Sequence, residues 1–176
     1  MKGLINGLTA SLVLVSASSF AHTGHTMQAS FSQGFLHPLT GWDHLFALSL
    51  IGLFLSSFAL RRASQISAGI MAAIIGGYAI GLEWSSASSA ETLVASSLIG
   101  LPLALLVLKK GGLKSVIAAS AILLFSLAHG LVQGAEAQGA FAQFGLGVML
   151  ASVMVVGATY FISRQLAALK VRLTHQ

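Results

Sequence analysis

The chain has 176 residues, 56% of them apolar and 7% charged, with a formal net charge of +5 and no cysteine. Soluble globular proteins carry roughly a quarter charged residues, so water is excluded as the solvent for most of this chain. The missing thiols exclude disulfide scaffolds, iron–sulfur clusters and cysteine nucleophiles, leaving nitrogen and oxygen as the ligands any metal would meet.

In chain order, Lys2, the apolar run Leu4 to Val15 and the small-x-small site Ser19-Phe20-Ala21 predict a secretory signal peptide over residues 1–21. A retained short first helix is the alternative. Cleavage after Ala21 leaves an external segment, 22–35, that opens His22-Thr23-Gly24-His25. A ruler of about 20 residues then finds apolar segments at 36–60, 64–84, 91–109, 113–134 and 140–163. The expected fold is all-α: a polytopic bundle of five transmembrane helices over 36–163, followed by a basic tail, 164–176. Of the nine Lys and Arg, all except Lys2 follow the first, third and fifth segments: Arg61 and Arg62; Lys109, Lys110 and Lys114; Arg164, Lys170 and Arg172. Cations in short clusters between apolar runs fit a bilayer rather than nucleic acid. Under the positive-inside rule they predict a bacterial inner-membrane protein with a periplasmic N-terminus and a cytoplasmic C-terminus. Loops near 85–90 and 135–139 are then external. Gly77 with Gly81 and Gly130 with Gly134 have helix-packing spacing, and Pro102 is expected to kink the third span or free a carbonyl.

This orientation puts His22, His25, His37, Asp43, His44, Glu83, Glu91, His129, Gln133 and Glu136 in or above the external half of the membrane. Ionisable groups in hydrocarbon cost a few kcal/mol and face the bundle interior or a pathway. On a continuous helix at about 100° per residue, His37, Gly41 and His44 form one stripe, with Asp43 to its side. His129, Gln133 and Glu136 repeat that spacing in the fourth span. Because the two spans run in opposite directions, adjacent packing levels His44 with His129 and His37 with Glu136, giving two ligand tiers about 10 Å apart. A single buried histidine is as readily a hydrogen-bonded core residue as a ligand, and surface histidines near a terminus are common.

His37-Pro38-Leu39-Thr40-Gly41-Trp42-Asp43-His44 resembles the HPxxGxDH signature of the HupE/UreJ family, hydrogenase- and urease-accessory proteins regarded as nickel, sometimes cobalt, permeases. The likeness extends over nearly the whole chain beyond the leader. It implies metal-related roles for His37, Asp43, His44, His129 and Glu136, and places Glu91 at the family's acid before the third span. In the fourth span the family pattern HGxAHGxE meets His129-Gly130-Leu131-Val132-Gln133-Gly134-Ala135-Glu136, so Gln133 stands where the second histidine belongs. A glutamine offers a carbonyl oxygen but no imidazole nitrogen.

The expected function is secondary, nucleotide-independent permeation of a divalent transition metal, with nickel the leading cargo and cobalt next. No phosphate loop is present in the sequence. No prosthetic group and no enzymatic activity are expected; the partners are the cation, the bilayer and nickel-enzyme maturation proteins. His22 and His25 help collect the cation, His37 and Glu136 form an outer tier, and Asp43, His44 and His129 a deeper one, with Ser49, Ser56 and Ser120 offering hydroxyls beyond. Two alternatives stay open: an intramembrane metal-dependent hydrolase, and a haem subunit with His44 and His129 as axial ligands.

Overall fold

The computed structural model describes residues 30–84, 87–108, 110–137 and 139–174. The expected signal peptide, His22, His25, Lys109 and His175 lie outside them. The elements are six helices: α1 Phe31–Thr40, α2 Trp42–Leu55, α3 Leu60–Gly81, α4 Ala87–Leu108, α5 Gly112–Glu136 and α6 Phe141–Thr174.

The expected first span, 36–60, is corrected to two helices bent by 75°. Helix α1 starts inside the segment expected to be external, at a capping box: Gln33 N–H donates to Ser30 Oγ (3.3 Å), and Ser30 N–H to Gln33 Oε1 (3.1 Å). At its last residue Thr40 Oγ1 donates back to the carbonyl of Leu36 (3.0 Å), a bond of the kind that bends helices. Gly41 alone is extended, at φ −76° and ψ 108°. Its N–H still closes α1 on His37 O (3.0 Å), while its own carbonyl accepts from Leu45 N–H (2.9 Å) and opens α2. A methyl group on Gly41 would lie 3.2 Å from both His37 O and Asp43 Oδ1, so the glycine keeps the elbow closed by being small.

Three helices, α3, α5 and α6, are long and apolar enough to cross a membrane, or four spans if the bent pair counts as one. The described apolar part of α4, Val94–Leu108, is shorter than that. Five spans are therefore not what the described helices establish. Helix α6 runs unbroken through the expected basic tail to Thr174. Its 34 residues rise about 51 Å, well beyond the ~30 Å hydrocarbon core. Helix α4 continues through Pro102.

Small residues set the packing. Added side chains at Gly77 and Gly81 would strike the carbonyls of Leu127 and Leu131, and at Gly130 and Gly134 those of Ile74 and Tyr78. Helices α3 and α5 thus interlock through both glycine pairs, backbone against backbone. Gly34 and Gly147 do the same for α1 on α6, and Gly52 for α2 on α6. One core runs through the bundle from Ala47, Ile51 and Leu55 of α2 to Ile74, Leu101, Ile122 and Tyr160. Large apolar side chains such as Leu106, Leu113 and Val116 are exposed on the outside, as a lipid-facing surface requires.

The end of the bundle away from the elbow gathers cations. Arg164 Nη1 donates to Phe58 O (3.0 Å) and Arg62 lies over the Phe58 ring, 5.5 Å from its centre. At the turn between α4 and α5, Gly111 and Gly112 have φ of +77° and +59°, left-handed values that glycine adopts without steric cost.

Candidate metal centre

The elbow folds His37 back onto His44. Because the chain turns at Gly41, the two imidazoles meet with Nε2···Nε2 at 3.1 Å instead of standing a helix-length of seven residues apart. On its other side His44 reaches α5, where Nδ1 lies 2.9 Å from Nδ1 of His129. His129 Nε2 in turn lies 2.9 Å from Ser97 Oγ of α4, and the Ser97 hydroxyl bonds Val94 O at 2.6 Å. Three histidines from three helices form one continuous line.

Proton accounting gives that line a direction. Ser97 has one hydroxyl proton and spends it on Val94 O, so Ser97 Oγ accepts from His129 Nε2–H. A neutral His129 then presents an Nδ1 lone pair, which takes His44 Nδ1–H. His44 Nε2 is left to accept from His37 Nε2–H. Every contact is a hydrogen bond only with His44 and His129 neutral and in these tautomers, since each of them must donate through one ring nitrogen and accept through the other.

Carboxylates stand at both stages. Glu136 Oε2 is 3.5 Å from His37 Nε2 and Asp43 Oδ2 is 3.7 Å from His44 Nδ1. Asp43 sits in the first turn of α2, where the positive end of the helix dipole favours an anion. Burial deepens along the line: His37 and Glu136 are half-buried, while His44 is 1% and His129 7% exposed. The expected pairing of His37 with Glu136, and of His44 with His129 and Asp43, is thus present in space. The 10 Å gap between tiers is not: His44 belongs to both, through different nitrogens. Helices α2 and α5 are also not packed along their lengths; their closeness is carried by side chains.

Among the described residues, no group of three or more His, Asp or Glu is arranged, as it stands, to hold a metal ion. The geometry gives the reason: the lone pairs of His129 Nδ1 and His44 Nε2 point at a neighbour's N–H rather than at a shared centre. Gln133 is buried, but its Oε1 has no hydrogen-bond partner. Glu91 lies in α4, with its side chain outside the described part of the structure. Sequence reasoning passed over Ser97, which is fully buried; Ser96 beside it and Ser88 and Ser89 in the same helix leave nothing in the sequence to single it out. Of the hydroxyls expected to line a route, Ser120 is exposed and Ser56 bonds Leu53 O, so neither reaches the histidines.

The family described as HupE / UreJ protein matches residues 10–175. Protein HupE of Rhizobium leguminosarum bv. viciae is 26% identical over 130 residues, covering 73% of this chain and 67% of that protein. No solved structure matches the chain.

Proposed function

The chain belongs to the HupE/UreJ family, and from that premise we propose that it is a secondary permease of the bacterial inner membrane carrying a divalent transition metal, foremost nickel, inward to supply hydrogenase or urease maturation. Five spans after a cleaved leader, with a periplasmic N-terminus and a cytoplasmic C-terminus, are part of this proposal. The single observation that carries it is the histidine line at a broken helix. Discontinuous helices in membrane proteins mark ion sites, because freed backbone and side chains there face a cavity instead of lipid.

The cation is the cargo. With metal–nitrogen bonds of 2.0–2.1 Å, two adjacent ligands of one ion stand about 2.9 Å apart at a right angle and about 3.4 Å apart in a tetrahedron. The nitrogens of His37, His44 and His129 are spaced at 3.1 and 2.9 Å, so a tilt of the rings, turning two lone pairs toward one point, makes a ligand pair of either contact. An outer site forms from His37 Nε2, His44 Nε2 and Glu136. An inner site forms from His44 Nδ1, His129 Nδ1 and Asp43. His44 lends one nitrogen at a time, and the ion advances as that ring exchanges tautomers. Imidazole suits nickel, and the carboxylate in each set offsets the charge of an ion shedding water.

A divalent ion moving inward gains about 4.6 kcal/mol per 100 mV of membrane potential, enough for roughly thousandfold accumulation, so no nucleotide is needed. The 2.9 Å contact between His44 and His129 leaves no room for a porphyrin between them, which disfavours the haem reading. Radiolabelled nickel uptake into proteoliposomes tests the proposal: inside-negative potential should drive uptake by the wild-type chain and not by His44→Ala. Uptake equal to that of protein-free liposomes would refute it.

A further inference from the structure

Beside His44 and His129, a cavity of about 20 Å³ that neither His37 nor Glu136 lines lies among α2, α3, α4, α5 and α6. Its walls are mostly apolar, with Ile51, Ile74, Leu101 and Phe125 among them. Three residues with side-chain oxygens, Ser126, Gln133 and Ser152, also line it. Gln133 Oε1 and Ser152 Oγ are buried, in residues 3% and 1% exposed, and have no hydrogen-bond partner. The third is Ser126, whose hydroxyl proton is spent on Ile122 O at 2.8 Å, so its oxygen can only accept. Two unpartnered polar groups in one apolar interior are costly, at about 1–3 kcal/mol each, unless a water or a cation occupies the space they share.

We propose that this cavity is a second, oxygen-lined station for the dehydrated divalent cation, reached from the inner histidine site and built by Gln133 Oε1, Ser152 Oγ and Ser126 Oγ. The proposal rests on the permease reading above. A volume near 20 Å³ admits one water-sized body, since a single probe sphere needs about 10–15 Å³; an ion carrying its full hydration shell does not fit. Carbonyl and hydroxyl oxygens hold a nickel-class ion less tightly than imidazole does. The hand-off from His129 to this station therefore loosens the ion, and permeation requires a weak site after a strong one. Gln133 stands one helical turn from His129, Ser126 about one turn on its other side, and Ser152 approaches from α6, so the ion can exchange ligands one at a time.

The test uses the full chain in proteoliposomes and, in parallel, the detergent-purified protein with nickel as the probe. Ser152→Ala should slow nickel uptake by about tenfold or more, while nickel affinity at equilibrium and thermal unfolding stay at wild-type values, because the histidine sites are intact. Ser152→Cys puts a thiol at the same point, and nickel addition should then produce a nickel–thiolate absorption band. Unchanged uptake in Ser152→Ala, or no such band in Ser152→Cys, overturns the station while leaving the permease reading standing, provided wild-type uptake is lost in His44→Ala. Absence of wild-type uptake overturns both.

Discussion

His44→Ala is the most informative single change, because His44 is the one residue shared by both proposed sites. Removing its ring breaks the 3.1 Å contact to His37 and the 2.9 Å contact to His129, and strands a donor on one side and an acceptor on the other. Each stranded group costs about 1–3 kcal/mol, so the variant should unfold earlier on heating. For the cation, both three-donor sets fall to two. Loss of even an outer partner of a ligand typically costs 10- to 100-fold in affinity. Loss of a direct ligand should then weaken nickel binding by about 100-fold or more, roughly 2.8 kcal/mol at 1.4 kcal/mol per tenfold. His37→Ala behaves differently, since it removes a donor from the outer set alone; nickel affinity should fall by less than about tenfold while uptake slows. Equilibrium dialysis of radiolabelled nickel against purified protein measures both, with thermal unfolding recorded alongside. His44→Gln, which keeps one acceptor and one donor in place, guards against collapse of the fold. Wild-type affinity in His44→Ala, or equal losses in the two alanine variants, would refute the shared-ligand reasoning.

Ser97→Ala removes the acceptor that fixes the tautomer of His129, and nickel affinity should fall about tenfold, with recovery in Ser97→Thr; dialysis reads both. Gln133→His restores an imidazole one turn from His129 and should tighten nickel binding about tenfold while slowing release into proteoliposomes. Gly130→Leu drives a side chain into the carbonyl of Ile74 and should destabilise the α3–α5 interface by about 1–3 kcal/mol or more, seen as an earlier thermal unfolding in detergent with nickel binding lost in step.

The glycine pairs were legible in the sequence because their spacing has one dominant physical use, and Gly77, Gly81, Gly130 and Gly134 interlock accordingly. The two His/acid stripes were legible for a related reason: few other arrangements justify burying that many ionisable groups. The elbow was not. Gly41 takes a φ of −76° that any residue can adopt, so nothing in its conformation demands glycine, and a continuous helix accommodated the same spacing. The bond from Thr40 to Leu36 O was no signal either, since Ser126 bonds Ile122 O in the same way within the unbroken α5. Taking His37 and His44 as one straight stripe therefore separated tiers that the bend merges. Ser97 and Ser152 were invisible for another reason. A membrane helix that is apolar all round gives no periodicity to separate its buried face from its lipid face, so Ser120, which is exposed, ranked with serines that are buried.

The shared role of His44 is tested most directly by counting nickel ions and their imidazole ligands together, by metal analysis and X-ray absorption on the purified, nickel-loaded chain. One tightly bound ion per chain with at least two imidazole nitrogens is expected, falling to one imidazole or none in His44→Ala. Two tightly bound ions per chain, or a nickel spectrum without imidazole scattering, would contradict it.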